Sequence, residues 1–151
     1  MAGQILFRNM TRADLPAVVS NEITAYFRPW TLGVFSDCLD SDYSCWVMER
    51  DDRVVGHGIL NVAAGECHLL NVCVRAEHQS SGLGRRMVEH LLVQAAKQEA
   101  ERVYLEVRRS NLVAYKLYMS MGFDETGVRK GYYPAESGRE DALVLTRELL
   151  K

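Results

Sequence analysis

A chain of 151 residues with 48% hydrophobic and 25% charged side chains can bury its own core, and a single domain over residues 1–151 is expected. A formal net charge of −2 excludes the strong basic footprint of a non-specific nucleic-acid binder. No run approaches the roughly 20 apolar residues that span a bilayer, so no membrane partner is expected either.

The start, Met1-Ala2-Gly3-Gln4, lacks the basic-then-apolar order of a signal peptide. Cys38, Cys45, Cys67 and Cys73 form no CxxC pair and read as reduced thiols of a cytoplasmic protein. Cys67-His68 beside Cys73 lacks zinc-site spacing, so no metal is expected.

In chain order, Gln4–Asn9 reads as a first strand. Thr11 and Asp14 then open a helix whose apolar face is Leu15, Val18, Val19 and Ile23. Pro29-Trp30 ends that segment, and a short second helix follows through Phe35 and Leu39. Cys45–Glu49 and Val54–Asn61 form a hairpin around Asp51-Asp52-Arg53. Glu66–Val74 is apolar on both faces and belongs at the centre of the sheet.

Gly84–Ala100 carries a stripe of Met87, Val88, Leu91, Leu92, Ala95 and Ala96, which makes it an amphipathic helix. Arg102–Arg108 is the next strand, with Val103, Leu105 and Val107 on one face and Tyr104, Glu106 and Arg108 on the other. A helix from Asn111 to Met121 stops at Gly122. Phe123–Tyr132 and Asp141–Glu148 close the sheet, joined by a loop from Pro134 to Glu140. The fold class is α/β, with a mixed sheet flanked by helices.

The most informative stretch is Gln79-Ser80-Ser81-Gly82-Leu83-Gly84-Arg85-Arg86, between a central strand and a long helix. Glycines at a helix N-terminus let a phosphate reach amides that have no partner within the helix. A turn that merely needs two flexible residues is the plain alternative. No Lys-Ser/Thr follows, which excludes a Walker loop, and Met87 stands where a dinucleotide fingerprint has its third glycine.

Gln79-x-x-Gly82-x-Gly84 resembles the pyrophosphate motif of the GCN5-related N-acetyltransferase (GNAT) family. Three further segments resemble its RimI-like subgroup, which acetylates the N-terminal alanine of a small-subunit ribosomal protein. They are Leu105-Glu106-Val107-Arg108-x-Ser110-Asn111, Ala114-Tyr115-x-Leu117-Tyr118-x-x-x-Gly122-Phe123, and Tyr132-Tyr133-Pro134 with Gly138-Arg139-Glu140-Asp141-Ala142.

The resemblance implies a GNAT-type acyl-CoA N-acyltransferase fold with a splayed central sheet, and acetyl-CoA as co-substrate wedged between Glu66–Val74 and Arg102–Arg108. It implies that a bulge at Val72, Cys73 and Val74 meets the pantetheine arm. The loop Gln79, Ser80, Ser81, Gly82, Leu83, Gly84 and Arg85 would hold the pyrophosphate, and Asn111 would also touch the arm. Glu106 would be the general base and Tyr118 the general acid. Tyr132, Tyr133, Glu140 and Asp141 would recognise the peptide, the basic N-terminal segment of small ribosomal subunit protein 18, with a loose association to the ribosome.

Each residue also has an ordinary reading. Glu106 could pair with a nearby arginine, Tyr118 shares helical spacing with Ala114, Leu117 and Met121 as core, and Glu140 and Asp141 could be solvated. His57, His68, His78 and His90 are expected to be packed or surface residues without a role. Two other functions stay open, a broader acetylase of N-termini or lysines and a non-catalytic acetyl-CoA sensor.

Overall fold

The computed structural model describes residues 4–149. Its centre is one seven-stranded sheet in the order β1-β2-β3-β4-β5-β7-β6. The strands are β1 (Ile5–Asn9), β2 (Ser44–Arg50), β3 (Arg53–Ala63), β4 (Glu66–Val74), β5 (Arg102–Arg108), β6 (Asp124–Pro134) and β7 (Arg139–Glu148). Every neighbouring pair is antiparallel except β4 and β5, which makes the sheet mixed as expected.

Helices α1 (Leu15–Ala25) and α2 (Leu32–Asp40) cover one face, and α3 (Leu83–Lys97) and α4 (Leu112–Ser120) cover the other. Strand alternation divides the core accordingly. Val47 and Ile59 pack with Leu15, Val18 and Phe35, whereas their neighbours Met48 and Leu60 pack with Met87, Val88 and Leu91. Gly58 lets α3 approach, since a Cβ there would stand 2.7 Å from a Leu91 methyl. No helix among the described residues is long and apolar enough to cross a membrane.

Several boundaries differ from the sequence reading. A short turn of 3₁₀ helix (Arg12–Asp14) precedes α1, and Asp14 accepts from the Thr11 amide at 2.8 Å. Asp14 also pairs with Arg8, which holds its carboxyl down at about 2. Ile23, assigned to the apolar face, is 62% exposed; Asn21 and Glu22 are buried instead. Helix α3 stops at Lys97 rather than Ala100, because Glu99 takes a left-handed φ of 63°. The last loop is shorter than expected, since Tyr133 pairs with Glu140 and Pro134 with Arg139, extending both strands. Asp51 and Asp52, with φ of 52° and 65°, make the tight turn of the β2–β3 hairpin.

Two irregularities open the sheet. β4 and β5 pair only from Glu66–His68 against Arg102–Tyr104, and beyond that they have no register partner in each other. β4 also takes an extra residue, Leu70, because Ile59 faces Asn71 while Leu60 faces Leu69. The bulge therefore sits two residues before Val72, and Cys73 and Val74 pair regularly with His57 and Gly56.

Candidate active site

Where β4 and β5 part, a cavity of about 340 Å³ opens between the two faces of the sheet. Leu69–Val72 and Leu105–Arg108 line it from the parted strands, Glu22 from α1 and Tyr26 from just past its end, and Asn111, Ala114 and Tyr118 from the start and body of α4. Tyr133 and Pro134 of β6 complete the wall. A cleft of this kind places backbone groups without sheet partners beside side chains from several elements.

Glu106 stands on the β5 face opposite Leu105 and Val107, which point into the α3–α4 core. Its side chain is 9% exposed. One oxygen, Oε1, lies 2.7 Å from His68 Nε2, and the other lies 4.0 Å from the Arg129 guanidinium. Arg108, two residues along the same face, is turned elsewhere, bonding the Pro134 carbonyl and Glu140. His68 was given no role from sequence. It became visible only once the parallel register set it beside Tyr104, whose ring it stacks on at 4.5 Å.

Tyr118 reaches the cavity from α4. Its ring packs edge-on against Phe123 at 5.5 Å, so the side chain is at once core and cavity wall. Burial pushes its phenol well above the ordinary value, which keeps the hydroxyl protonated. Asn111 caps α4, accepting from the Ala114 amide at 3.2 Å, and lines the cavity as well.

On the α1 side, Glu22 is 1% exposed and fully engaged. His57 Nε2 lies 2.9 Å from Oε1, the Asn71 amide donates at 3.3 Å to each oxygen, and the Trp30 amide donates to Oε2 at 3.1 Å. Sequence reasoning missed this residue. Its signal was there, a carboxylate four positions beyond Val18 and seven beyond Leu15 on the same helical stripe. Cys73 sits beside Glu22 and His57, with burial pushing its thiol far up, so it remains a neutral packing group.

The glycine loop follows β4. The Gln79 side chain donates to the Val74 carbonyl at 2.9 Å and ties the loop to the strand end. Ser80 and Gly82 have φ of 65° and 79°, and Gly82 has open space around the position of a Cβ. The first helical bond runs from the Arg86 amide to the Gly82 carbonyl, which leaves the Leu83, Gly84 and Arg85 amides without helical acceptors. Arg85 donates to Ser120 at 2.6 Å, linking α3 to α4. Such a turn suits a phosphate group. Among the first arm positions, Val72 lines the cavity with its carbonyl bonded by the Tyr26 hydroxyl, whereas Cys73 and Val74 face the core.

The remaining residues split. Tyr133 lines the cavity beneath the Arg108 guanidinium at 4.5 Å, and its phenol is pushed up to about 12, chiefly by burial. Tyr132 lies outside it, 42% exposed under Arg129. Neither acidic residue is simply solvated. Glu140 accepts from the Ser110 amide at 2.8 Å and Arg108 at 3.1 Å, which lowers its carboxyl below the usual range. Asp141 accepts from the Gly131 amide at 3.0 Å and pairs with Arg109 at 3.3 Å. Asp141 thus ties β7 to β6, whereas Glu140 ties β7 to the end of β5 and the residues leading into α4.

Residues 6–123 match the model of the acetyltransferase (GNAT) family. A [ribosomal protein bS18]-alanine N-acetyltransferase of Escherichia coli strain K12 is 34% identical over 137 residues, which is 91% of this chain and 93% of that one. A Haemophilus influenzae protein of the same name is 29% identical over 133 residues, 87% of this chain and 90% of that one. The crystal structure of the ribosomal-protein-S18-alanine N-acetyltransferase from Escherichia coli superposes with a TM-score of 0.92 at 32% identity, covering 98% of this chain and 96% of that one.

Proposed function

The chain belongs to the GNAT acetyltransferase family and is an N-acetyltransferase, and from that premise we propose that its acceptor is a protein N-terminal α-amine, specifically the N-terminal alanine of small ribosomal subunit protein 18. GNAT acetyltransferases use acetyl-CoA as co-substrate. The observation that carries the acceptor is the bS18-alanine name shared by relatives that span about nine-tenths of the chain's length. We read residues 1–151 as one such domain, acting in the cytoplasm and touching ribosomes only loosely.

Glu106 and Tyr118 reach one cavity from β5 and α4, on opposite faces of the sheet. In this reading Glu106 takes a proton from the amine, the amine nitrogen attacks the thioester carbonyl, and Tyr118 gives a proton to the departing thiolate. An α-amine with a pKa of about 8 needs far less help than a lysine at about 10.4, so a carboxylate base suffices. A phenol protonates a thiolate only when held close and shielded from water, and the buried ring of Tyr118 meets that condition.

The residues present fit the co-substrate. The partnerless Leu83, Gly84 and Arg85 amides and the left-handed Ser80 and Gly82 suit its pyrophosphate. Asn111 and the unpaired edge of β4 at Val72 suit its arm. Gln79 fixes the loop to Val74 and so holds it in place for the pyrophosphate. Tyr133 is placed to meet the peptide, with Asp141 shaping the hairpin beside it and Glu140 tying that hairpin to the end of β5.

Peptides beginning with the alanine segment of small ribosomal subunit protein 18, with a free or a blocked N-terminus, test the acceptor. Acetyl on the α-amine of the free peptide and none on the blocked one is the expected mass spectrum. Acetylation of lysine on both peptides would transfer the assignment to a lysine acetylase.

A further inference from the structure

We propose that His68 is the positioning residue for Glu106, donating its Nε2–H to Oε1 so that the carboxylate keeps its orientation when ligands fill the cavity. This rests on reading Glu106 as the base. The Glu106 side chain is 9% exposed, and its one hydrogen-bond partner among the described residues is His68 at 2.7 Å. Arg129, at 4.0 Å and 53% exposed, is beyond hydrogen-bond reach. A carboxylate losing its last water to substrate keeps only the donors the protein fixes beside it, and such a donor also sets which oxygen faces the substrate.

The chain supplies that donor by register. β4 and β5 stay paired only as far as His68 and Tyr104, so His68 is the last β4 side chain held against β5 before the strands part. Glu106 follows two residues beyond Tyr104, on the same face. The imidazole stacks on the Tyr104 ring at an interplanar angle of 16°, which fixes the ring plane and the direction of Nε2. Its β3 neighbour is Asn61, so no charge from that strand competes for the bond. An ionised carboxylate can only accept, so the Nε2 proton belongs to His68. With Oε1 occupied, Oε2 is the oxygen left to take the proton of the amine.

The test uses the intact protein with acetyl-CoA and the alanine-started peptide, measuring kcat and both KM values. His68→Phe keeps a flat ring on Tyr104 but removes the donor, and a loss of about ten- to a hundredfold in kcat is expected from one charge-assisted hydrogen bond. KM for acetyl-CoA should stay within about twofold, and His68→Gln, which retains an amide donor, should recover most of the rate. In a Glu106→Gln background, His68→Phe should cost nothing further, because the two changes act on one group. Wild-type kcat in His68→Phe, equal losses in the Phe and Gln variants, or losses that multiply in the double variant would each overturn the proposal. An unaffected Glu106→Gln protein would instead remove the base reading, and this inference with it.

Discussion

Glu22 and Glu106 line the same cavity, yet the chain surrounds them in different ways. Glu22 is held by donors from α1–α2, β3 and β4: the Trp30 amide, His57 and Asn71. Both Glu22 oxygens are filled by these donors, so the carboxylate works as a buried clamp joining the α1 layer to the bulged strand. Glu106 has one close partner, His68, and a second oxygen with only a distant arginine. A carboxylate with spare accepting capacity can take a proton; one whose lone pairs are filled by neighbours stabilises the fold instead. Lining a cavity therefore does not distinguish the two, whereas their hydrogen-bond partners do.

The contrast breaks most severely at Glu22. Glu22→Ala strips the acceptor from buried donors and should lower unfolding free energy by about 3–5 kcal/mol, read as a fall in the urea midpoint. A midpoint near wild type would mean that the clamp is dispensable. On the Glu106 side the effect should appear in turnover rather than stability. Tyr118→Phe keeps the ring against Phe123, and kcat should fall by about a hundredfold while stability moves by less than about 1 kcal/mol.

Gly82→Ala probes the loop away from both carboxylates. Nothing crowds a Cβ there, so the cost is the left-handed φ of 79° alone, about 1 kcal/mol, with a raised KM for acetyl-CoA and an unchanged kcat. Glu140→Ala should be the mildest, about 0.5 kcal/mol or less by denaturant titration, since its bonds lie near the surface. A raised KM for the peptide would come from β7 loosening against Arg108 and the Ser110 amide.

Much of this architecture is written in local pattern. The alternation of Val103 to Arg108 fixes which face Glu106 takes, the stripe from Met87 to Ala95 fixes the buried side of α3, and Gly122 marks the end of α4 with a φ of 89°. The bulge is not local in the same way. Leu69-Leu70 and Val72-Cys73-Val74 are apolar without alternation, so a one-residue slip at Leu70 leaves no trace in the hydrophobic pattern. The extension of β6 and β7 hid behind polar residues, because Arg139 and Glu140 pair across the sheet edge instead of forming a loop. The His68–Glu106 contact depends on parallel register between strands 38 positions apart, which no spacing within one segment reveals. Glu22 was within reach, since its position on the Leu15–Val18 stripe marks a carboxylate that must be buried.

The most direct measurement is the single-turnover rate of Glu106→Gln with acetyl-CoA and the alanine-started peptide, taken beside its urea midpoint. The account predicts a rate lower by at least about a hundredfold with the midpoint nearly unmoved. A rate within a few-fold of wild type would contradict it and leave the proton of the amine to another group in the cavity.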